Sequence, residues 1–181
     1  VQAFEEEHAS ILRTLRDIPL SKFTEIDTSK ILSNGFDKVE HTYDAEILRS
    51  AFKFSAGFPE PIHLIGSELL AEDEDLHLSM EDFEKAKVKI ISDVRRNSLE
   101  NKLKSAGIGK YQEILEAMAK YDEDNIPLDF VSKEIKLDPN QYSTNISTLV
   151  EREIIYKEAR GIYSFVDPLL KEYIKNFGVI K

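Results

Sequence analysis

The sequence predicts a mainly α-helical chain, a helical bundle followed by a smaller domain of helices that carries one β-hairpin. Three observations lead there. Apolar residues recur at three- and four-residue intervals through the first half, the spacing of one helix face. The run Ala106-Gly107-Ile108-Gly109 then closes a polar stretch. Beyond it helical spacing returns, and it ends in two short β-rich segments around a glycine-containing turn.

In the first half, His8, Ile11, Leu12 and Leu15 mark a helix over Glu5 to Leu15. Pro19 breaks it and pushes Ile18 towards extended geometry, so Ile18 and Leu20 read as a short strand. Ser21 or Thr24 is placed to cap a helix through Ile26, Ile31 and Leu32, with Asn34-Gly35 as its stop. Asp44 opens the next helix, with Ile47, Leu48, Ala51 and Phe52 on one face and Ala56-Gly57 at its end. After Pro59 comes a helix carrying Ile62, Ile65, Leu69 and Leu70, which runs into Glu72-Asp73-Glu74-Asp75, read as a solvated loop. Ser79 with Asp82 resembles a capping box, opening a long helix through Phe83, Ile90, Ile91 and Val94.

Arg95 to Lys104 is polar, with only Leu99 and Leu103 repeating, and the expected linker spans residues 93–107. It separates a helical domain over 1–92 from a second domain over 108–181. In the second, Tyr111, Ile114, Leu115 and Met118 mark one helix, and Leu128, Val131 and Ile135 a short second one. Asp138-Pro139 starts a third, bearing Tyr142, Ile146, Leu149 and Val150. Ile154–Tyr156 and Ile162–Val166 read as strands around Glu158-Ala159-Arg160-Gly161, and a last helix starts near Asp167-Pro168. Three helices, a hairpin and a helix is the order of a winged helix-turn-helix; a generic small α+β domain is the plain alternative.

Composition narrows the function. Apolar residues make up 41% of the 181, enough for real cores, and no apolar run approaches the ~18 residues of a membrane span. Without cysteine there is no disulfide, zinc-thiolate site or thiol nucleophile, which favours the cytoplasm weakly. A net charge of −10 repels nucleic acid on average, so any DNA contact needs a local basic patch. Val1 rather than Met at the start points to a natural N-terminus upstream.

Several tracts resemble AAA+ ATPases. Arg16-Asp17-Ile18-Pro19-Leu20-Ser21 resembles the segment where the last strand of the ATPase core meets the helical lid, and a helix ending in Ile-Leu follows there, as Ile31-Leu32 does here. Phe54-Ser55-Ala56-Gly57-Phe58-Pro59 is similar to the turn that opens the lid helix facing the nucleotide. The tract from Ile162 to Leu170 is similar to the wing strand and final helix of archaeal and bacterial AAA+/STAND ATPases, whose relatives include origin-recognition initiators and transposition ATPases. The resemblance implies a lid followed by a winged helix, with residues 1–21 as the end of a missing ATPase core. That core is the first partner implied, and it would hold ATP and Mg²⁺; no cofactor is expected in this chain. Two departures stand out. No Gly-x-x-x-x-Gly-Lys-Ser/Thr loop and no apolar strand ending in Asp-Asp or Asp-Glu is present, so the chain alone is expected to be no enzyme. Where some relatives place a phosphate-sensing arginine after the turn, Glu60 stands here, with Arg49 or Lys53 as partial substitutes at most.

The candidate site residues follow. The resemblance makes Arg13, Arg16, Gly57 and Pro59 nucleotide-sensing candidates; Arg13 or Arg16 would reach a neighbour's nucleotide in trans, or else be ordinary surface arginines. Winged helices put the third helix in the major groove, where Gln141, Ser143, Thr144, Asn145, Ser147 and Thr148 would meet bases or phosphates, with Lys157 and Arg160 on the wing. Glu151, Glu153 and Glu158 balance Arg152, Lys157 and Arg160 in that stretch, so duplex DNA and a protein partner (or self-association) both stay open. The four histidines show no metal-ligand spacing, and the acidic run 72–75 lacks the Gly and Glu of a calcium loop; no catalytic or metal residue is assigned.

Overall fold

The structure, a computed structural model, describes residues 21–73 and 75–180. The helix expected over Glu5–Leu15, the strand at Ile18 and Leu20, and Arg13 and Arg16 lie outside the described residues. The described chain is mainly helical, a bundle followed by helices with a small hairpin, as predicted.

Helix α1 (Glu25–Lys38) begins in a capping box: the Thr24 hydroxyl accepts the Asp27 amide and the Asp27 carboxylate accepts the Thr24 amide. It does not stop at Asn34-Gly35, nor does Ile31-Leu32 end it; it runs on to Lys38. The extra turn carries Phe36, 1% exposed, into the core. Burying a phenylalanine contributes roughly 2–3 kcal/mol, more than the ~1 kcal/mol that a helical glycine costs. Two short strands that periodicity cannot reveal, β1 (Thr42–Tyr43) and β2 (His77–Leu78), pair in parallel. Asp44 precedes α2 (Ala45–Ser55) but makes no side-chain cap there; its carboxylate accepts the Met80 amide at 3.0 Å, across the chain.

The buried face of α2 is Ile47, Ala51 and Phe54, and Phe52, expected inside, is half-buried. Helix α3 (Pro59–Glu72) starts with proline at its first position, where no amide partner is needed, and buries Ile62, Ile65 and Leu69. The acidic run that follows is not wholly a solvated loop. The Asp73 side chain is 3% exposed, accepts the Leu76 amide and faces His41 Nε2 at 3.2 Å, and Glu72 is paired with Lys89. The predicted Ser79–Asp82 capping box is present at the start of α4 (Met80–Lys89). The helix expected to reach Val94 ends instead in a π-helical turn, Ile90–Val94, which buries the adjacent Ile90 and Ile91 together. Residues 96–105, within the expected linker, form α5 (Arg96–Ser105), with Leu99 and Leu103 inside.

In the second half come α6 (Lys110–Ala119), β3 (Ile126–Pro127), α7 (Leu128–Ile135), α8 (Ser143–Glu151), β4 (Ile155–Ala159), β5 (Ile162–Phe165) and α9 (Pro168–Phe177). The strands form an antiparallel sheet in the order β3-β5-β4. The third helix does not start at Asp138-Pro139. Asp138 caps a short 3₁₀ turn, Pro139–Gln141, and α8 starts after Tyr142. The break lets Tyr142 turn fully inside, with its Oη 2.6 Å from Ser132 Oγ and donating to the Leu128 carbonyl at 3.1 Å. The hairpin turn is the pair Arg160-Gly161, one residue later than the expected centre, and Gly161 takes the positive φ it needs. Helix α9 packs on α6 in its own half and on α2, α5 and the π-turn, so the buried residues form one continuous core.

Candidate functional site

Two regions carry the candidate residues: the turn between α2 and α3, and the surface of α8 and the hairpin. At the turn, Ala56 (φ 48°) and Gly57 (φ 77°) reverse the chain, a geometry that suits glycine. The Phe23 amide donates to the Gly57 carbonyl at 2.9 Å. A Cβ on Gly57 would overlap the Phe23 carbonyl oxygen and sit 3.2 Å from Lys22 Cβ, so residues 22–23 are pressed against the turn. Pro59 is exposed at the first position of α3.

Two cations grip this turn from opposite sequence directions. The Lys22 ammonium lies 4.7 Å from the centre of the Phe58 ring and 5.3 Å from that of Tyr156, and donates to Tyr156 Oη at 2.7 Å. Tyr156 Oη in turn donates to Glu158 at 2.6 Å. Burial raises the Tyr156 phenol above its ordinary value, the Glu158 carboxylate adds to that, and Lys22 opposes it. On the other side, the Arg95 guanidinium donates to Glu60 and, at 2.8 Å, to Asp167. Asp167 is 8% exposed, caps α9 through the Leu169 amide and also receives Lys102 at 3.3 Å. These groups border a cleft of about 240 Å³ lined by Phe58, Pro59, Glu60, Arg95, Lys102 and Asp167, among others.

Neither Lys22 nor Arg95 carried a sequence signal. Arg95 meets carboxylates 35 and 72 residues away, so no local spacing betrays the pairing. Glu60 is thus paired with a guanidinium from elsewhere in the chain. Arg49 is exposed, and Lys53 lines a separate cleft between α2, α4 and α9 with Lys87 and Lys171.

The DNA-contact candidates fall on a mostly exposed surface. Ser143, Thr144 and Ser147 are exposed along α8, and Asn145 and Thr148 are partly so. The hydroxyls of Ser147 and Thr148 donate to the carbonyls four residues back, so each can accept a bond from outside while donating inward. Gln141 lies in the 3₁₀ turn, with its side-chain oxygen accepting the Asp138 amide. Lys157 and Arg160 are exposed and make no ion pair among the described residues. Arg152 is different: its guanidinium donates to the Ser105 and Ala106 carbonyls and stacks 5.3 Å from the Tyr111 ring. It closes the end of α5 and is not free for phosphate. Among the described residues no cluster of three or more His, Cys, Asp or Glu could hold a metal ion, and no helix is long and apolar enough to cross a membrane.

Comparison with known proteins adds two likenesses. Residues 106–174 match a family described as "Domain of unknown function (DUF8462)". Among solved structures, the chain is similar to the Walker-type ATPase PABY2304 of Pyrococcus abyssi, with 18% identity and a TM-score of 0.53 over 85% of this chain. The chain spans 42% of that protein's length, and the likeness is one of fold. No curated protein matches.

Proposed function

We propose that this chain is the C-terminal regulatory and effector portion of a P-loop ATPase, a lid followed by a winged helix that meets duplex DNA through α8 and the hairpin. The observation that carries the reading is the shared core: α9 is packed on both the bundle and α6, so a lid moved by a nucleotide-binding core would carry the second half with it. The likeness to part of a Walker-type ATPase supports the same assignment. On this reading ATP and Mg²⁺ belong to a core preceding these residues, and the chain alone hydrolyses nothing.

DNA contact rests on the exposed polar face of α8 and on Lys157 and Arg160. Two phosphate-facing cations imply weak affinity with a log–log salt slope of about −2. Fluorescence anisotropy of a labelled duplex with the 181-residue chain tests this. Binding should weaken about tenfold between roughly 50 and 200 mM salt and be abolished by Lys157→Glu with Arg160→Glu. One observation favours a second target, a protein: Arg152 is occupied by backbone carbonyls while Glu151 and Glu153 stay exposed beside α8. No binding at low salt would overturn the DNA reading in favour of that one.

A further inference from the structure

We infer that the turn at residues 56–60 is a coupling node, through which a displacement of the bundle is passed directly to the hairpin and to the start of α9. The inference rests on the lid-and-effector reading for its purpose, but its geometry stands apart from DNA or nucleotide. The same five residues are joined to the second half at two places. Phe58 and Tyr156 hold the Lys22 ammonium between them, which ties the turn to the first strand of the hairpin. Glu60 and Asp167 share Arg95, which ties the turn to the N-cap of α9. Tyr156 and Asp167 bracket the β4–β5 hairpin, so the turn grips that unit near both of its ends.

The node is also stiff on its own side. Gly57 leaves no room for a Cβ against Phe23, and the Phe23 amide is bonded to the Gly57 carbonyl, so the turn and residues 22–23 move as one. Lys22 is therefore both a neighbour of the turn and a ligand of Tyr156. The remaining anchors of the strand are its pairing with β5 and its packing against α8. Arg95 follows directly on the π-turn Ile90–Val94, and such turns often mark functional places in helices. A shift there would move the guanidinium against both carboxylates at once. Coupling of this kind needs discrete contacts between two packed bodies, and the two cations supply them. Lys22 and Arg95 are positioning residues: neither meets a ligand on this account.

Hydrogen exchange read by mass spectrometry on the full chain tests the inference without DNA or nucleotide. Lys22→Met should raise exchange in the 155–159 strand about five- to tenfold, the low end of site-to-site coupling, and leave the 47–54 helix unchanged. The decisive variant is Gly57→Ala, which touches no hairpin residue but forces Phe23 and Lys22 off the turn. It should raise exchange in the same strand, and add nothing in a Lys22→Met background. Phe58→Leu removes the ring beneath the ammonium without backbone strain, and serves if Gly57→Ala does not fold. An unchanged strand in Phe58→Leu and in folded Gly57→Ala overturns the coupling. Loosening of the strand with no DNA binding would instead leave the node intact and fell only the DNA reading.

Discussion

The two halves of the molecule hold their backbone in place by different means. In the bundle, polar side chains mostly serve the backbone near them: Thr24 with Asp27 and Ser79 with Asp82 each close a helix start three residues long. In the second half, several side chains bond backbone carbonyls of another helix or loop. Lys171 donates to the carbonyls of Asp122 and Glu123, 49 and 48 residues away. Ser164 donates to the Asp124 carbonyl at 2.9 Å, Gln112 to those of Leu103 and Gly107, and Arg152 to those of Ser105 and Ala106. The reason is topological. Two places need partners: the end of α5, whose last carbonyls find none within the helix, and the 122–124 loop between α6 and β3.

That difference is sharpest at Lys171, which is 5% exposed. Replacing it by Met keeps the stem but removes the donor from two carbonyls of the acidic loop. Hydrogen bonds from a charged donor contribute about 1.5–3 kcal/mol each, so urea denaturation should show a loss of about 3 kcal/mol. The pH dependence gives a second handle. Burial holds the Lys171 ammonium below its ordinary value of 10.5, with Asp124 opposing. The unfolded chain then binds the proton more tightly than the folded one. Stability contributed by this group therefore rises with pH from its folded value up to 10.5, because burial penalises the charged form in the folded chain. Lys171→Met should remove that alkaline rise relative to the parent chain. A variant as stable as the parent would show that the tether does not hold the loop.

A smaller loss is expected at Gln112, 2% exposed, whose amide bridges the end of α5 to the Gly107 turn while its oxygen faces the Ile180 amide. Gln112→Ala removes the partner of two carbonyls, that of the buried Leu103 and that of the half-buried Gly107, and should cost about 2 kcal/mol in the same denaturation series. If the comparison holds, this loss exceeds that of any single cap in the bundle.

The contrast also explains what could be read from the sequence. The capping box at Ser79 and the order of helices and hairpin were legible because their signals are local: a three-residue spacing, a proline at a helix start, a glycine in a turn. The long tethers were not, since nothing near Lys171, Gln112 or Arg95 says which distant carbonyl or carboxylate each will meet. The differences are of the same kind. Asp44 does open α2, as its place in the sequence suggests, but its carboxylate goes to Met80, 36 residues on. Gly35 carries the local signal of a helix stop, but the pull of Phe36 on the core is visible only in three dimensions. At the candidate site the surface placement of the α8 and hairpin residues follows from the local pattern, whereas Lys22 and the Arg95 clamp need the fold.

The smallest expected effect lies in the bundle's local caps, and it has its own pH signature. Ser79→Ala should cost about 1 kcal/mol, the usual loss at an N-cap. The Asp82 carboxyl is held below its ordinary 3.8 chiefly by the Ser79 hydroxyl and then by the Ser79 amide, and the Asp27 carboxyl likewise by the Thr24 hydroxyl and amide. A carboxyl depressed in the folded state contributes stability that is complete above 3.8 and lost as pH falls through the folded value. Acid titration monitored by circular dichroism should therefore show the loss of helix stability below that pH shrink in Ser79→Ala. Lys171→Met should affect this acid limb less than Ser79→Ala does, because its ammonium stays charged there and its carboxylate partner, Asp124, sits 3.8 Å away. An acid limb that responds to the tether and not to the cap would mean that the halves are not held in the separate ways proposed.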